Sequence, residues 1–600
     1  MRVGRALAVG AAIAAGTFGL PYVVPSHASI LSASYLAGFN NSFAYLWWVL
    51  GLAVGGAWLA PLVSGARVRE ALASAEPLFV PPPAIVWVTM AAHAVLFGAL
   101  YYKAHGFTFG EPLYFEDAAY RALTGRTVFV DFYFFYGPLM VTPTAWLARI
   151  VGLFPAYGVY YVATYLAGLY CLYVVLVALA GRRAVTPWFL LFAIGFFNPI
   201  TGLNYTFVRF MLPLLTLLAA WRAYRALSVG RWVAGLLCFA VALLYSPDTA
   251  IVSVASVGVL GVTLLWCDGP LWWRRPAGAA LVAMPLTAML LAAAALFVID
   301  GTWHPLAAYL RPVVTFNAGG WSTPIDPSPP MLTLLGVTLR TMSLLWRSGR
   351  ETGRTTATAM SVALGMLVLL TQRACLGKSD IQHIAFSGLP AFMLAAAWMP
   401  STAWAGRAQM RLAAWLLVGV VASLQFYHAM LFLPSLMQKR TPVTATAAPA
   451  PRAMSKAEIQ ASLDRAVQTL GTDRPYYMHR LEYYRLPIYT KYRLLPIEYQ
   501  STLASAFTPL DIEDHMRLLR RTRAIVLVSK ADLAVRSPVT PLPTSWWFSL
   551  ASAALPCSQI FNWTREFQTR LEAPLVRMLN TDYDRVFEDG DIVGLALRMP

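Results

Sequence analysis

Glu116 and Asp117 stand side by side in the run Phe115-Glu116-Asp117-Ala118-Ala119-Tyr120, with mostly apolar sequence around them. A carboxylate beside hydrocarbon is costly unless it is solvated or paired, so an acidic pair there is a candidate functional site. Adjacent side chains diverge on a helix and on a strand, which excludes the facing carboxylates of a glycosidase. One of the two can serve as a general base while the other caps a helix or binds a phosphate through a cation. The plainer reading is a solvated first helical turn, where the helix dipole favours acids. A second group lies far along the chain: Arg373, Lys378, Asp380 and His383, all within eleven residues. A guanidinium fork, an ammonium and an imidazole this close together suit a phosphate. The rival reading is ordinary loop charge.

Single residues complete the set. Asp248, in Tyr245-Ser-Pro-Asp248, can act chemically or cap the helix that follows. Arg209, in Asn204-Tyr-Thr-Phe-Val-Arg209, can contact a phosphate or snorkel to the membrane surface. His304, Arg311, Trp321 and Asp326 fall in the segment 301–330, whose mixture of aromatic and polar residues suits a sugar face.

These residues must be held by membrane-spanning elements. Of 600 residues, 58% are hydrophobic and 12% charged, and the mean hydropathy is +0.58. That composition excludes an ordinary soluble enzyme. Apolar runs long enough for a helix to cross ~30 Å of hydrocarbon occur near 5–24, 43–62, 84–101, 157–180, 186–203, 206–225, 232–248, 249–267, 276–300, 331–347, 356–372, 383–399 and 412–433. About thirteen transmembrane helices are therefore expected. The first run can also be read as a signal peptide. A second run follows shortly, and Pro21-Tyr-Val-Val-Pro25 lacks a small-x-small cleavage site, which favours a retained helix. The net charge of +18 reads as topology anchors and lipid head-group contacts rather than nucleic-acid binding. The five cysteines have neither metal nor disulfide spacing. No P-loop, dinucleotide glycine fingerprint, His-Glu-x-x-His, Gly-x-Ser-x-Gly or Cys-x-x-Cys occurs. No cofactor is indicated, and a divalent metal is left open.

Arg2 and Arg5 place the N-terminus in the cytoplasm. The stretch Pro138–Leu153 is apolar but short and holds Pro143 and Arg149, so it reads as an interfacial helix on the outer face. Counting it as non-crossing puts Arg67, Arg69, Arg182, Arg183, Arg222, Arg225, Arg231, Arg274, Arg275, Arg347, Arg350, Arg354, Arg407 and Arg411 inside. Counting it as a crossing would put every cluster after it outside. The same count sends the first loop (102–156), the turn 245–248, the loop 301–330, the segment 372–383 and everything beyond about residue 434 to the outer face. Within the chain, 1–438 reads as the transmembrane domain and the Pro/Ala/Thr-rich 439–455 as a linker. The remainder, 456–600, reads as an extracytoplasmic α/β domain. It has helices at Lys456–Leu470 and Pro509–Arg521, strands at Arg474–Met478 and Ala524–Ser529, and a hairpin from Tyr583 to Leu597 around an Asp-Gly turn.

Past the acidic pair the chain reads Ala122-Leu-Thr-Gly125-Arg126-Thr-Val-Phe-Val-Asp131-Phe-Tyr-Phe-Phe-Tyr136-Gly137-Pro138-Leu139. Acidic pair, short helix, Gly turn, aromatic stretch with one Asp, Gly-Pro and interfacial helix follow in that order. This resembles the first extracytoplasmic loop of the GT-C superfamily of polytopic glycosyltransferases. Gly377-Lys378-Ser-Asp380-Ile-Gln-His383 resembles the Arg-x-Asp-x-x-His segment of bacterial GT-C-like proteins, with Lys in place of Arg. The resemblance covers mainly 84–180 and 372–399. Here two spans precede the one leading into the loop, where the simplest members have one. The resemblance implies a GT-C-like helical fold in the inner (plasma) membrane. It implies inverting transfer of a sugar from a polyprenyl-phosphate donor to a cell-envelope glycan, lipid or protein. It also implies that Asp117 first and Glu116 second are the candidate bases, with Asp131 behind them. The donor phosphate would lie against Arg373, Lys378 and His383, with Asp380 and Arg209 near. Two other classes are a lipid-linked glycan flippase or transporter and a non-enzymatic envelope assembly protein. Few charges inside spans and no internal repeat weigh against the flippase.

Overall fold

Apolar sequence that must satisfy its own backbone folds as helix, and most of the described residues in the N-terminal two thirds of the chain are helical. The computed structural model describes residues 2–25, 38–73, 78–104, 110–182, 185–197, 202–304, 306–317, 322–398, 454–497, 509–534 and 557–598, with 34, 418, 419, 421 and 424. Its helices up to residue 397 are α1 (Arg2–Phe18), α2 (Asn41–Leu59), α3 (Ala66–Ala73), α4 (Ala84–Ala104), α5 (Gly110–Leu123), α6 (Thr142–Val151), α7 (Leu153–Ala180), α8 (Val185–Gly195), α9 (Phe207–Arg225), α10 (Val229–Tyr245), α11 (Pro247–Asp268), α12 (Pro276–Asp300), α13 (Leu306–Asn317), α14 (Pro329–Thr352), α15 (Thr356–Thr371), α16 (Arg373–Gly377) and α17 (Ile381–Ala397). Polar residues start several of them. Asn40 accepts from Phe43 N–H, Ser228 from Arg231 N–H, and Ser328 from Met331 N–H.

Helices occupy twelve of the thirteen expected runs, and all of the run 412–433 except residues 418, 419, 421 and 424 lies outside the described residues. Six are long and apolar enough to cross a membrane, by length and composition: Asn41–Leu62, Leu153–Ala180, Phe207–Arg225, Pro247–Asp268, Pro276–Asp300 and Thr356–Gly377. Four more are apolar but shorter. Thirteen crossings are therefore not established. The run 186–203 shows why: its helix stops at Gly195, and a single 3-10 turn, Leu203–Tyr205, precedes α9. The stretch 301–330 also differs from expectation, since it contains the helix α13 rather than loop alone. Most of the expected linker 439–455 lies outside the described residues.

Helix α6 has ten residues, about 15 Å of rise against ~30 Å of hydrocarbon, too short to cross. Trp146, Ile150 and Val151 are exposed on it.

Connecting segments gather at two opposite ends. At one end Arg69 pairs with Glu351 at 3.1 Å, Arg225 donates to the Leu72 carbonyl, Arg275 lies 3.9 Å from Asp268, and Arg354 covers the Trp266 ring. At the other, Asn41 donates to the Thr323 and Leu376 carbonyls, Thr323 N–H donates to Gly377, and Gly137 N–H donates to Tyr245. Arginine-rich turns thus sit away from the acidic pair and the 372–383 segment.

The C-terminal region runs α18 (Lys456–Leu470), β1 (Tyr476–His479), α19 (Glu482–Tyr492), α20 (Pro509–Thr522), β2 (Ile525–Ser529), α21 (Lys530–Leu533), α22 (Cys557–Asp582), β3 (Tyr583–Asp589) and β4 (Ile592–Leu597). Its sheet has the order β1-β2-β4-β3, with β1 and β2 parallel and the other pairings antiparallel. Side chains alternate across it. Tyr476, Met478, Ile525 and Leu527 pack on the face of α18 and α19, in a core continuous with the membrane helices. Tyr477, Val526 and Val528 pack on the face of α20 and α22.

His479 ends β1 fully buried, with neither ring nitrogen hydrogen-bonded and Glu572 3.7 Å away. Burial, then the charges of Arg480 and His515, push its pKa down to about 3. The unfolded chain, near 6.5, takes up a proton that the folded chain refuses. Stability is therefore whole above about pH 6.5 and falls as pH drops toward 3. Amide exchange in β1 and β2 of the intact detergent-solubilised protein should report about 2 kcal/mol less protection at pH 5 than at pH 7. His479→Asn should flatten that difference, and an equal slope in both proteins would refute the assignment.

Candidate active site

The acidic pair lies in the middle of α5, not in its first turn, and both residues are buried, Glu116 at 1% and Asp117 at 2% exposure. This corrects the solvated-turn reading. Successive helical residues point about 100° apart, so the two carboxylates leave α5 in different directions. Asp117 is held from two sides. Arg121, one turn on, donates Nε to Oδ2 at 2.8 Å. Arg485 of α19 donates Nε to Oδ1 at 3.0 Å and Nη2 to Oδ2 at 2.7 Å. Tyr120 reaches the same domain, its hydroxyl donating to the carbonyls of Tyr489 and Leu494. Burial alone raises the Asp117 pKa, but the two guanidiniums outweigh it and hold the carboxyl below the usual range. A carboxylate so fully engaged is a poor proton acceptor.

The aromatic stretch ties α5 to the turns before α9 and α11. Phe115 stacks on Tyr136 at 5.6 Å between ring centroids, and the Asn204 amide donates to the Tyr136 hydroxyl at 3.0 Å. Gly202 meets the Phe115 ring so closely that an added Cβ would lie 2.3 Å from it. Arg209 sits over the Tyr136 ring, donates to the Asn204 carbonyl, and forks Nε and Nη2 onto Asp248 Oδ2 at 3.0 and 2.7 Å. Asp248 is thus the counter-ion of Arg209, and Ser246 holds the cap position of α11. The side-chain oxygen Oδ1 of Asn204 is buried without a hydrogen-bond donor.

The 372–383 segment joins the same assembly. Asp380 caps α17 by accepting from His383 N–H, and its carboxylate also accepts from His383 Nδ1 at 2.8 Å. Lys378 Nζ lies 3.8 Å from Asp380. Burial raises the Asp380 pKa, while His383 and then Lys378 bring it well below the usual range. The Tyr205 hydroxyl meets the His383 ring at 2.9 Å from Nε2. Arg373 packs over the Tyr45 ring at 5.3 Å. Trp48 donates to Gln372, which donates in turn to Thr338, and this chain fixes the base of the segment.

The structure therefore brings Glu116, Asp117, Arg209, Asp248, Lys378, Asp380 and His383 to one end of the bundle. Contacts run from Phe115 through Tyr136 and Asn204 to Tyr205 and His383. Asp131 is exposed and closes its own turn by accepting from Thr127 N–H at 2.7 Å, where Phe129 takes φ 65°. His304 pairs with Asp300 at 2.6 Å. Arg311 bonds Asp511 of α20 and covers the Tyr133 ring. Asp326 N–H donates to Ser379, and Trp321 lies outside the described residues. Among the described residues no group of three or more His, Cys, Asp or Glu is placed to hold a metal. Sequence reasoning missed Tyr136, Tyr205 and Arg485. Tyr205 adjoins a singled-out Asn204, but no spacing rule links positions 178 apart.

The sequence matches no family model, and no curated protein matches it. Among solved structures, the chain is similar to ArnT from Cupriavidus metallidurans in the apo state, at 13% identity and a TM-score of 0.38. The alignment covers 84% of this chain and 98% of that one.

Asp117→Asn leaves two buried guanidiniums facing a neutral amide. Loss of one partner of a buried ion pair costs ~3–5 kcal/mol. The variant should unfold earlier than the parent, with amide exchange in 110–123 quickening first. Parental stability would mean that the ion cluster does not hold α5 in place.

Proposed function

We propose that the protein is a polytopic membrane glycosyltransferase of GT-C type, moving a sugar from a polyprenyl-phosphate donor to a hydroxyl of a cell-envelope glycan, lipid or protein. One observation carries the reading: a buried carboxylate helix and a cationic segment meet at the same end of an apolar helical bundle, joined through Tyr136, Asn204 and Tyr205. A donor with a lipid tail presents its phosphate where apolar helices end. Lys378 and His383 stand at the N-terminal end of α17, and Arg373 is five residues before Lys378.

In this reading Glu116 is the general base and Asp117 the residue that fixes its helix. Asp117 was the first choice on resemblance, but its two guanidinium partners suit it to the structural role. The acceptor loses its proton to Glu116, its oxygen forms a bond to the anomeric carbon, and the bond from that carbon to the donor phosphate oxygen breaks with inversion. Lys378, His383 and Arg373 receive the phosphate, Asp380 orients His383, and the Tyr205 hydroxyl adds a donor. Arg209, neutralised by Asp248, orders Asn204, whose buried Oδ1 offers an acceptor for a sugar hydroxyl. Asp131 belongs to the turn beside the site. The site faces out of the inner (plasma) membrane and the arginine-rich end faces the cytoplasm, since positive charge concentrates on the inner side.

Two measurements test this. In a cysteine-free background, Asp131→Cys should react with an impermeant thiol reagent from outside and Arg354→Cys should not; the opposite pattern would invert the protein. In detergent, Glu116→Gln should lose ~10²–10⁴-fold in transfer from polyprenyl-phosphate sugar while unfolding like the parent. Lys378→Ala and His383→Ala should each weaken donor binding by ~1.5–3 kcal/mol. Undiminished turnover in Glu116→Gln would remove it from the chemistry.

A further inference from the structure

Among the described residues the C-terminal domain meets the acidic helix at a buried place, and the chemistry of that place is specific. Asp117, Tyr120 and Arg121 lie one turn apart on α5 and share a face. Arg485 grips both oxygens of Asp117, and Tyr120 donates to two carbonyls, those of Tyr489 and Leu494. The turn that offers these carbonyls is itself fixed. Arg493 adopts φ 53° at the end of α19, and Leu494 N–H donates back to Tyr489. The side chains of Asp117, Arg121 and Arg485 are 3%, 0% and 3% exposed. A planar bidentate fork plus a two-acceptor hydroxyl sets the height and the axial rotation of a helix together, which a single contact does not. Glu116 is the next residue along that helix, so its direction follows from the same grip.

We infer that Arg485, through Asp117, is a positioning residue of the transfer site: the C-terminal domain sets the aim of Glu116. The inference rests on the reading of Glu116 as the base. The domain does not depend on Arg485 to stay attached. Arg311 bonds Asp511, and Leu463, Val467, Leu486 and Tyr489 share the core of the membrane helices. Weakening the grip therefore loosens α5 without releasing the domain. Lysine keeps the charge of Arg485 and loses the fork.

The test compares the parent, Arg485→Lys and Tyr120→Phe as full-length purified proteins. Transfer kinetics are read at varied donor, and amide exchange is read by peptide. A misplacement of about 1 Å costs on the order of 10²-fold in rate. Arg485→Lys should lose kcat roughly tenfold to a hundredfold, with donor KM within about twofold of the parent. Tyr120→Phe should shift kcat the same way by less. Exchange should quicken in 110–123 and stay parental in β1, β2 and α17. Parental kcat in Arg485→Lys overturns the inference. So does a loss of kcat accompanied by faster exchange throughout the C-terminal domain, which would mark a general folding defect. A parent with no transferase activity would sink the functional reading itself; an active parent with an indifferent Arg485→Lys would sink this inference alone.

Discussion

One carboxylate between two guanidiniums organises the molecule. Taking Asp117, Arg121 and Arg485 out of water has a large desolvation cost, which their mutual attraction offsets only with near-ideal geometry. The distances of 2.7–3.0 Å supply it. Such a cluster is a weak source of stability compared with apolar packing but a strict source of register, because any shift leaves a buried charge unmatched. Helix α5 is held by charge on the face turned to the C-terminal domain and by Phe115 and its aromatic neighbours elsewhere.

Two adjacent acids are thereby given unlike surroundings. Asp117 is committed to arginines, and the helix turns Glu116 about 100° away from it. A division of labour between neighbouring carboxylates usually comes from different environments. Here helical geometry points them apart, and one of the arginines on Asp117 comes from another domain, 368 residues further along.

What the sequence made legible was short-range. Twelve of the thirteen apolar runs contain helices, and α18 spans Lys456–Leu470 as its polar-apolar period suggests. The strands fall within two residues of expectation, and the Asp-Gly hairpin turns at Gly590 with φ 59°. Segments given to one face by counting charge do meet in space. What was not legible was pairing over distance. Arg485 had no local signature, since an arginine inside an amphipathic helix reads as surface. Asp248 looked like a cap because a Ser-Pro-Asp turn commonly is one, and only its contact with Arg209 reveals the counter-ion. The acidic pair looked like a first turn because Gly110 begins the helix two turns earlier than the acids suggest.

In the proposed reading, charge pairing separates scaffold from ligand-binding groups. Arg121, Arg209, Arg311 and Arg485 each meet an aspartate of this chain. The segment 373–383 is different. It carries two permanent cations, Arg373 and Lys378, against the single carboxylate of Asp380, and that carboxylate is drawn mainly to His383. The segment's own residues therefore carry more positive than negative charge. A sugar phosphodiester carries one negative charge, and the lipid phosphate that departs from it gains a second as its bond to the sugar breaks. A fixed cationic surplus binds the departing form more strongly than the arriving one, which is the sense required for catalysis rather than mere affinity. In the proposed reading, Arg209 with its aspartate therefore belongs to the walls of the site and the 373–383 segment to its working end.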